Sequence, residues 1–329
     1  MLAVAVALAC TLTPPTRAVA ASACGKPGPA ADLAGCNFAH ANLVNANLRG
    51  ADLTNANLTG ANLTHATLAD TKMRGTTLAS ANLTGADLSG VISTAVKGKP
   101  TALPANFLLV QGYLVGPEAN LHDADLIGAN LTNADFAQAT LSGAQLKNAT
   151  LMNASSGRID GVPASLPTSF KLVKGYLVGP HVNLKDANLR GGNLTNASFT
   201  GVRLEGAFFT GATLTGATSG GISGTPSNLP THWQLVHGYL VGPQANLTGA
   251  NLANGALTNA MLTGANLTKA NLAGANLTGA QLKGATLSSA TLSGATLTNV
   301  LSGSIKGTPA HLPAKWKFAK GYLVGPAPT

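Results

Sequence analysis

Acidic side chains are scarce in this chain, and none follows Glu205. It has 11 Asp and Glu against 20 Lys and Arg, and charged residues make up only 9% of it. The Asp residues that are present, such as Asp32, Asp52, Asp87, Asp125 and Asp135, recur singly in one slot of a repeat. They read as solvated members of a ladder, so they supply no paired carboxylates for general acid–base chemistry. Cysteine is almost absent, with 3 residues. Two thiols remote from any His/Cys cluster do not make a metal site. The seven histidines fall at irregular spacings without a paired ligand motif. Serines lack a nucleophile elbow and glycines form no phosphate-binding loop, which leaves no catalytic or cofactor-binding constellation. The one long apolar run, Ala3–Leu12, is too short to span a membrane.

What the chain has in abundance is a five-residue unit, Ala-[Asn/Asp/Thr]-Leu-x-x. It runs from Ala31-Asp32-Leu33 to Ala295-Thr296-Leu297. With the central residue as register, four in-phase blocks extend over Leu33–Leu88, Leu121–Leu151, Leu184–Leu214 and Leu247–Leu297. They hold 37 units, and Ala stands two residues before the centre in 30 of them. Phe38, Met73, Phe136, Phe199 and Phe209 replace the central Leu. A period of five fits neither a helix nor a flat strand. It needs a backbone that turns a corner at every unit, with the Leu and Ala pointing inward. Such units bury their apolar face only by stacking on copies of themselves. Thr71 and Thr76 put hydroxyls in the Ala slot, where each is expected to bond to the backbone or a neighbouring coil.

Runs such as Ala41-Asn42-Leu43-Val44-Asn45 and Ala265-Asn266-Leu267-Thr268-Lys269 closely resemble the pentapeptide-repeat family. The resemblance covers about two-thirds of the chain. It implies an all-β right-handed quadrilateral β-helix with four units per coil. At roughly 4.8 Å per strand spacing, nine coils would give a rod about 45 Å long. Some members are acidic DNA mimics that bind DNA gyrase. The basic balance and the leader described below both depart from that pattern.

A second, longer repeat separates the blocks, ending each time in Gly-Tyr-Leu-Val-Gly-Pro. Its copies start at Val96, Ile159, Ile222 and Ile305. Tyr113, Tyr176, Tyr239 and Tyr322 lie in it, as do Phe107, Phe170, Trp233 and Trp316 at the equivalent aromatic position. Each copy reads as a β-hairpin docked on the solenoid, with Phe107–Val110 and Tyr113–Val115 as strands. The turns Gln111-Gly112, Lys174-Gly175, His237-Gly238 and Lys320-Gly321 suit type I′. The aromatic residues are expected to cover one flank of the rod, as packing or as a repeated interaction surface. Tyrosine spacings of 63, 63 and 83 differ by one 20-residue coil. That arithmetic predicts that every linker returns to the same corner of the square.

The chain then divides as follows. Residues 1–20 read as a signal peptide, with Ala18-Val19-Ala20 as cleavage site, and 21–30 as a leader or cap. Repeat blocks occupy 31–90, 119–153, 182–216 and 245–299. Hairpin linkers occupy 91–118, 154–181, 217–244 and 300–329, the last being expected to cap the rod. Export places the protein outside the cell, without a transmembrane segment in the mature chain. A lipid anchor on Cys24 is disfavoured, because Ala21-Ser22-Ala23 lacks the usual large apolar residue. In an oxidising compartment, Cys24 and Cys36 can pair and staple the leader to the first coil. The alternative is that Cys36 is simply a small buried residue in the Ala slot. Lys315, Lys317 and Lys320 crowd the last linker, a basic end suited to polyanions. The sequence therefore predicts a secreted, non-catalytic scaffold for an unknown protein partner. Its alternative is a binder of an anionic cell-surface polymer, with no cofactor and no small-molecule substrate in either case.

Overall fold

The computed structural model describes residues 24–326. The expected signal peptide, the first residues of the leader and the last three residues of the chain lie outside that range. The repeat units wind into a four-sided solenoid. Each unit bridges in parallel to the unit 20 residues later, as in Asp32↔Asp52↔Lys72↔Ile92 on what we name side one. Asn37, Asn42 and Asn47 start sides two, three and four in the same way. The bridging residue is the polar one just before the centre.

Each corner is a tight turn closed by the central carbonyl and the next Ala N–H, for example Ala41 N donating to Phe38 O at 3.0 Å. The last residue of each unit takes a positive φ, whether glycine (Gly35, +68°) or not (Asn55, +56°). That is the third position of a type II turn, which explains why Gly and Asn dominate the slot. The polar side chain secures the turn as well. Asp52 Oδ1 accepts from Thr54 N at 2.9 Å, and Asn57 Nδ2 reaches down to Asn37 Oδ1 at 3.1 Å.

Inward-facing Leu and Ala form a core in which nearly every central residue is buried, divided into two clusters at the third hairpin, with Leu240 in the first and Val236 and Val241 in the second. Phe199 on side three and Phe209 on side one meet across the axis, centroids 5.9 Å apart in an edge arrangement. Thr71 and Thr76 are fully buried. Thr71 Oγ1 donates to Leu68 O at 2.7 Å, and Thr76 Oγ1 reaches the preceding coil at Leu53 O, 2.8 Å. Both carbonyls also accept a backbone N–H of their own turn, from Thr71 and Ala56. Neither would be orphaned by loss of the hydroxyl. Thr76→Val should therefore change unfolding free energy by no more than about 1 kcal/mol. Thr76→Leu, overfilling the corner, should lose about 1–3 kcal/mol. Urea unfolding of the two variants side by side checks this, and equal losses would refute it.

The described residues include 12 short strands, of which eight make the linker hairpins. They are β1 (Leu108–Val110) with β2 (Tyr113–Val115), β5 (Lys171–Val173) with β6 (Tyr176–Val178), β9 (Gln234–Val236) with β10 (Tyr239–Val241), and β11 (Lys317–Ala319) with β12 (Tyr322–Val324). All four pairs are antiparallel, and both turn residues have positive φ, as at Gln111 (+50°) and Gly112 (+80°). That is the type I′ geometry the Xaa-Gly pairs suggested. The remaining strands, β3 (Asp135–Ala137) with β4 (Ser155–Gly157) and β7 (Ser198–Thr200) with β8 (Thr218–Gly220), are parallel rungs of the solenoid.

Two expectations about the linkers need correction. First, the hairpins do not return to one corner. Ile92 bridges Asn120 on side one, so the coil that holds a hairpin takes 28 residues instead of 20. The 63-residue period thus leaves 35 residues, or seven units, for ordinary coils, and seven is not a multiple of four. Leu114–Glu118 closes side four, with Gly90 N donating to Glu118 O. In the second linker Asn153 N donates to His181 O on side three, and in the third Gly216 N donates to Gln244 O on side two. Continuing from His311 on side four, the last hairpin falls on side one. The four hairpins step back by one side each time. Adding one whole coil before the last leaves that progression unchanged.

Second, the hairpins are not laid on the outside. Leu114, Val115, Leu177, Val178, Leu240 and Val241 are buried in the core. Each hairpin tip is clipped to the start of its own linker, Val96 N donating to Gly112 O at 3.1 Å. Where a hairpin enters, only one side keeps its bridge to the next coil: Ile92↔Asn120, Ser155↔Asn183 and Thr218↔Asn246.

Candidate interaction surface

An inward-running strand brings an unpaired N–H into an apolar core, at a cost unless an acceptor meets it. The sequence supplies one at each linker. Ser93, Ser156, Ser219 and Ser302 stand in the central slot where Leu is the rule. Their hydroxyls accept from Leu114 N (2.8 Å), Leu177 N (2.9 Å), Leu240 N (2.8 Å) and Leu323 N (3.1 Å). No catalytic or binding motif marks these serines. Their spacing of 63, 63 and 83, five residues after each block's last Leu, was the available signal.

The aromatic residues of the linkers are divided in their use. Phe107 packs on Gly116, where a Cβ would lie 2.5 Å from its ring, and Phe170 and Trp233 do the same at Gly179 and Gly242. Tyr113 Oη accepts from Asp125 N in the next coil at 3.1 Å. Tyr176 lies over Gly157 and Tyr239 over Gly220. These three tyrosines are half-buried between coils. In the last linker Trp316 is half-buried, but Tyr322 is 52% exposed where its counterparts Tyr113, Tyr176 and Tyr239 are half-buried, and Val324 is 48% exposed where Val115, Val178 and Val241 are fully buried. Lys315, Lys317 and Lys320 are all exposed around this hairpin. The last described hairpin therefore leaves Tyr322 and Val324 open in a segment that carries three exposed lysines, next to a cleft of about 800 Å³ lined by Ala295–Val300, Lys315, Trp316 and Leu323.

At the other end, Cys24 and Cys36 form a disulfide, with Cα atoms 5.6 Å apart. Cys36 is at the same time buried in the Ala slot, so the two readings of it hold together. The bond ties the leader over the first coil.

Ionic chemistry along the sides is sparse. Arg203 donates to Glu205 at 2.6 Å and Lys185 lies 3.6 Å from the same carboxylate. The Arg203 hydrogen bond, followed by the attraction of Lys185, lowers the Glu205 pKa. Asp52 is also lowered, chiefly by the Thr54 hydroxyl. Arg190 lies over the Phe208 ring, 4.7 Å from its centroid. Among the described residues no group of three or more His, Cys, Asp or Glu side chains converges as a metal site. No described helix is long and apolar enough to cross a membrane.

Comparison with known proteins agrees with this architecture. The family described as pentapeptide repeats matches in eight copies, over residues 31–68, 56–92, 119–155, 181–217, 244–279 and 265–301, more than half of the chain. No curated protein sequence matches. Among solved structures, similarity extends to HetL, a pentapeptide repeat protein involved in heterocyst differentiation regulation in the cyanobacterium Nostoc sp. strain PCC 7120. Identity is 24% over 84% of this chain and 88% of that one, with a TM-score of 0.18. A pentapeptide repeat protein of the Arabidopsis thaliana thylakoid lumen is 20% identical over 42% of this chain and 82% of its own, with a TM-score of 0.17. QnrB1, a plasmid-mediated fluoroquinolone resistance protein, is 13% identical over 85% of this chain and 90% of its own, with a TM-score of 0.13.

Proposed function

The chain belongs to the pentapeptide-repeat family, and from that premise we propose that it is an exported, non-catalytic scaffold that docks a protein partner on its last hairpin. The observation that carries this reading is the contrast between copies of one device. The same Tyr-Leu-Val strand is covered by the next coil in three linkers. In the fourth, Tyr322 and Val324 stand about half exposed beside Lys315, Lys317 and Lys320. An apolar centre with a polar rim is the usual anatomy of a protein contact. Export rests on the apolar leader, and the Cys24–Cys36 disulfide is in keeping with an oxidising compartment.

The lysines favour a second reading, in which the end binds an anionic cell-surface polymer. Its affinity would then fall steeply with salt. A DNA-mimic role against gyrase stays disfavoured, since a formal charge of +9 is opposite in sign to DNA. Photo-crosslinkers at positions 317 and 322 and at the lateral Thr268 test the first reading in the native extracellular setting. Crosslinks to one protein from the end positions alone are expected, and equal yield from Thr268 would overturn it. Salt-dependent retention on a teichoic-type polymer, abolished by Lys315→Glu, Lys317→Glu and Lys320→Glu together, would instead establish the second.

A further inference from the structure

The four linkers are near-copies of one another, so each serves as a control for the others. At the first position of the hairpin's first strand stand Leu108, Lys171, Gln234 and Lys317. In the second linker Lys171 crosses to the following coil, and its ammonium donates to the carbonyl of Thr195. In the third, the carboxamide nitrogen of Gln234 is buried without a hydrogen-bond partner. In both linkers the space between hairpin and next coil takes a side chain that ends in a hydrogen-bond-donating nitrogen, and in the second that nitrogen is an ammonium on a carbonyl. In the first linker Leu108 is too short and lacks the polar end. What remains is a groove of about 600 Å³, lined by Pro100, Leu103, Phe107, Leu109, Asn130 and Thr132. Thr132 holds the place of Thr195, 63 residues earlier. Lys99, exposed, stands on the groove's rim.

We infer that this groove is a binding site for a small ω-amino carboxylate. Its primary ammonium sits at the Thr132 carbonyl as that of Lys171 does at Thr195, its alkyl stem lies along Leu103 and Phe107, and its carboxylate points out toward Lys99. The stem replaces water against apolar walls, and the ammonium supplies a charge-assisted hydrogen bond to a carbonyl. The cation at the rim disfavours a diamine and favours an anionic outer end. This inference is independent of the docking surface at the last hairpin.

The test is titration of the intact protein with 6-aminohexanoate, followed by amide NMR shifts at Leu108, Asn130 and Thr132. Saturation in the roughly millimolar range is expected for a ligand of this size. Hexanoate, which lacks the ammonium, should bind at least tenfold more weakly. Leu108→Lys rebuilds the second linker's arrangement inside the first, so it should fold as the parent does and lose the shifts. Lys171→Leu copies the first linker into the second. It should open an equivalent groove and raise the stoichiometry from one to two, with new shifts at Thr195. Equal binding of hexanoate, unchanged binding in Leu108→Lys, or a single site in Lys171→Leu would each overturn the inference, as would no binding at all.

Discussion

Replacing Phe209 by alanine should lower the unfolding free energy by about 3–5 kcal/mol, the range for deleting a buried aromatic ring. The upper part of that range is expected here. Phe209 is fully buried and packs edge-on against Phe199, which enters from the opposite side of the same core. An aromatic pair of this kind adds about 0.5–1.5 kcal/mol beyond the area it covers. Collapse around the hole is resisted because the walls are ladders. Leu189 N is bonded to Phe208 O, and Phe208 N to Ala187 O, which fixes the spacing of the coils on side one. Phe209→Leu restores the usual central residue and should lose far less. Denaturant unfolding followed by circular dichroism measures both. A loss below about 1 kcal/mol for the alanine variant would show that the coil closes around the gap.

The sequence made the solenoid legible because its cause is local and repeated. One large and one small apolar residue every five positions leave no other packing, and the turn slot announces itself through Gly and Asn. The hairpins were legible for a similar reason, since Xaa-Gly between apolar triplets is a strong turn signal. Their placement was not. The side on which a hairpin enters depends on how many residues the interrupted coil consumes. That number, 28, is set by bonds such as Val96 N to Gly112 O, between residues that no periodic pattern relates. The inward course of the second strand was hidden for the same reason. Tyr113-Leu114-Val115 is apolar throughout, so its pattern does not distinguish an inner strand from one laid on a flank, and only the serine at Ser93 betrays a polar group in need of a partner inside. The sequence also placed a cap in the last linker. The hairpin is there, with Leu323 buried and Tyr322 and Val324 about half exposed.

Glycine in the Val-x-Gly-x-Pro part of the linker looked like loop punctuation, and the structure gives it a steric reason with a measurable consequence. Gly98→Ala should destabilise the protein by about 2–4 kcal/mol, combining overpacking with left-handed strain. Gly98 has φ +74°, and a Cβ there would lie 2.8 Å from Ala79 N and from Ala79 Cα. Those are backbone atoms of the preceding coil's turn, so no rotamer change relieves the contact. Gly224 meets Glu205 N at 2.7 Å in the third linker, so the constraint repeats at the equivalent position. Positive φ alone does not explain the requirement, because Asn55, His65 and Lys269 adopt it without being glycine. Gly128 separates the two effects. Its φ is +65° and nothing lies within 4 Å of a Cβ placed on it. Gly128→Ala should therefore lose only the left-handed strain, about 1–2 kcal/mol, and Gly128→Asn less still. Chemical unfolding of Gly98→Ala and Gly128→Ala under the same conditions decides the matter. If the two variants lose the same stability, the close approach of the linker to the preceding turn is not what holds glycine at that position.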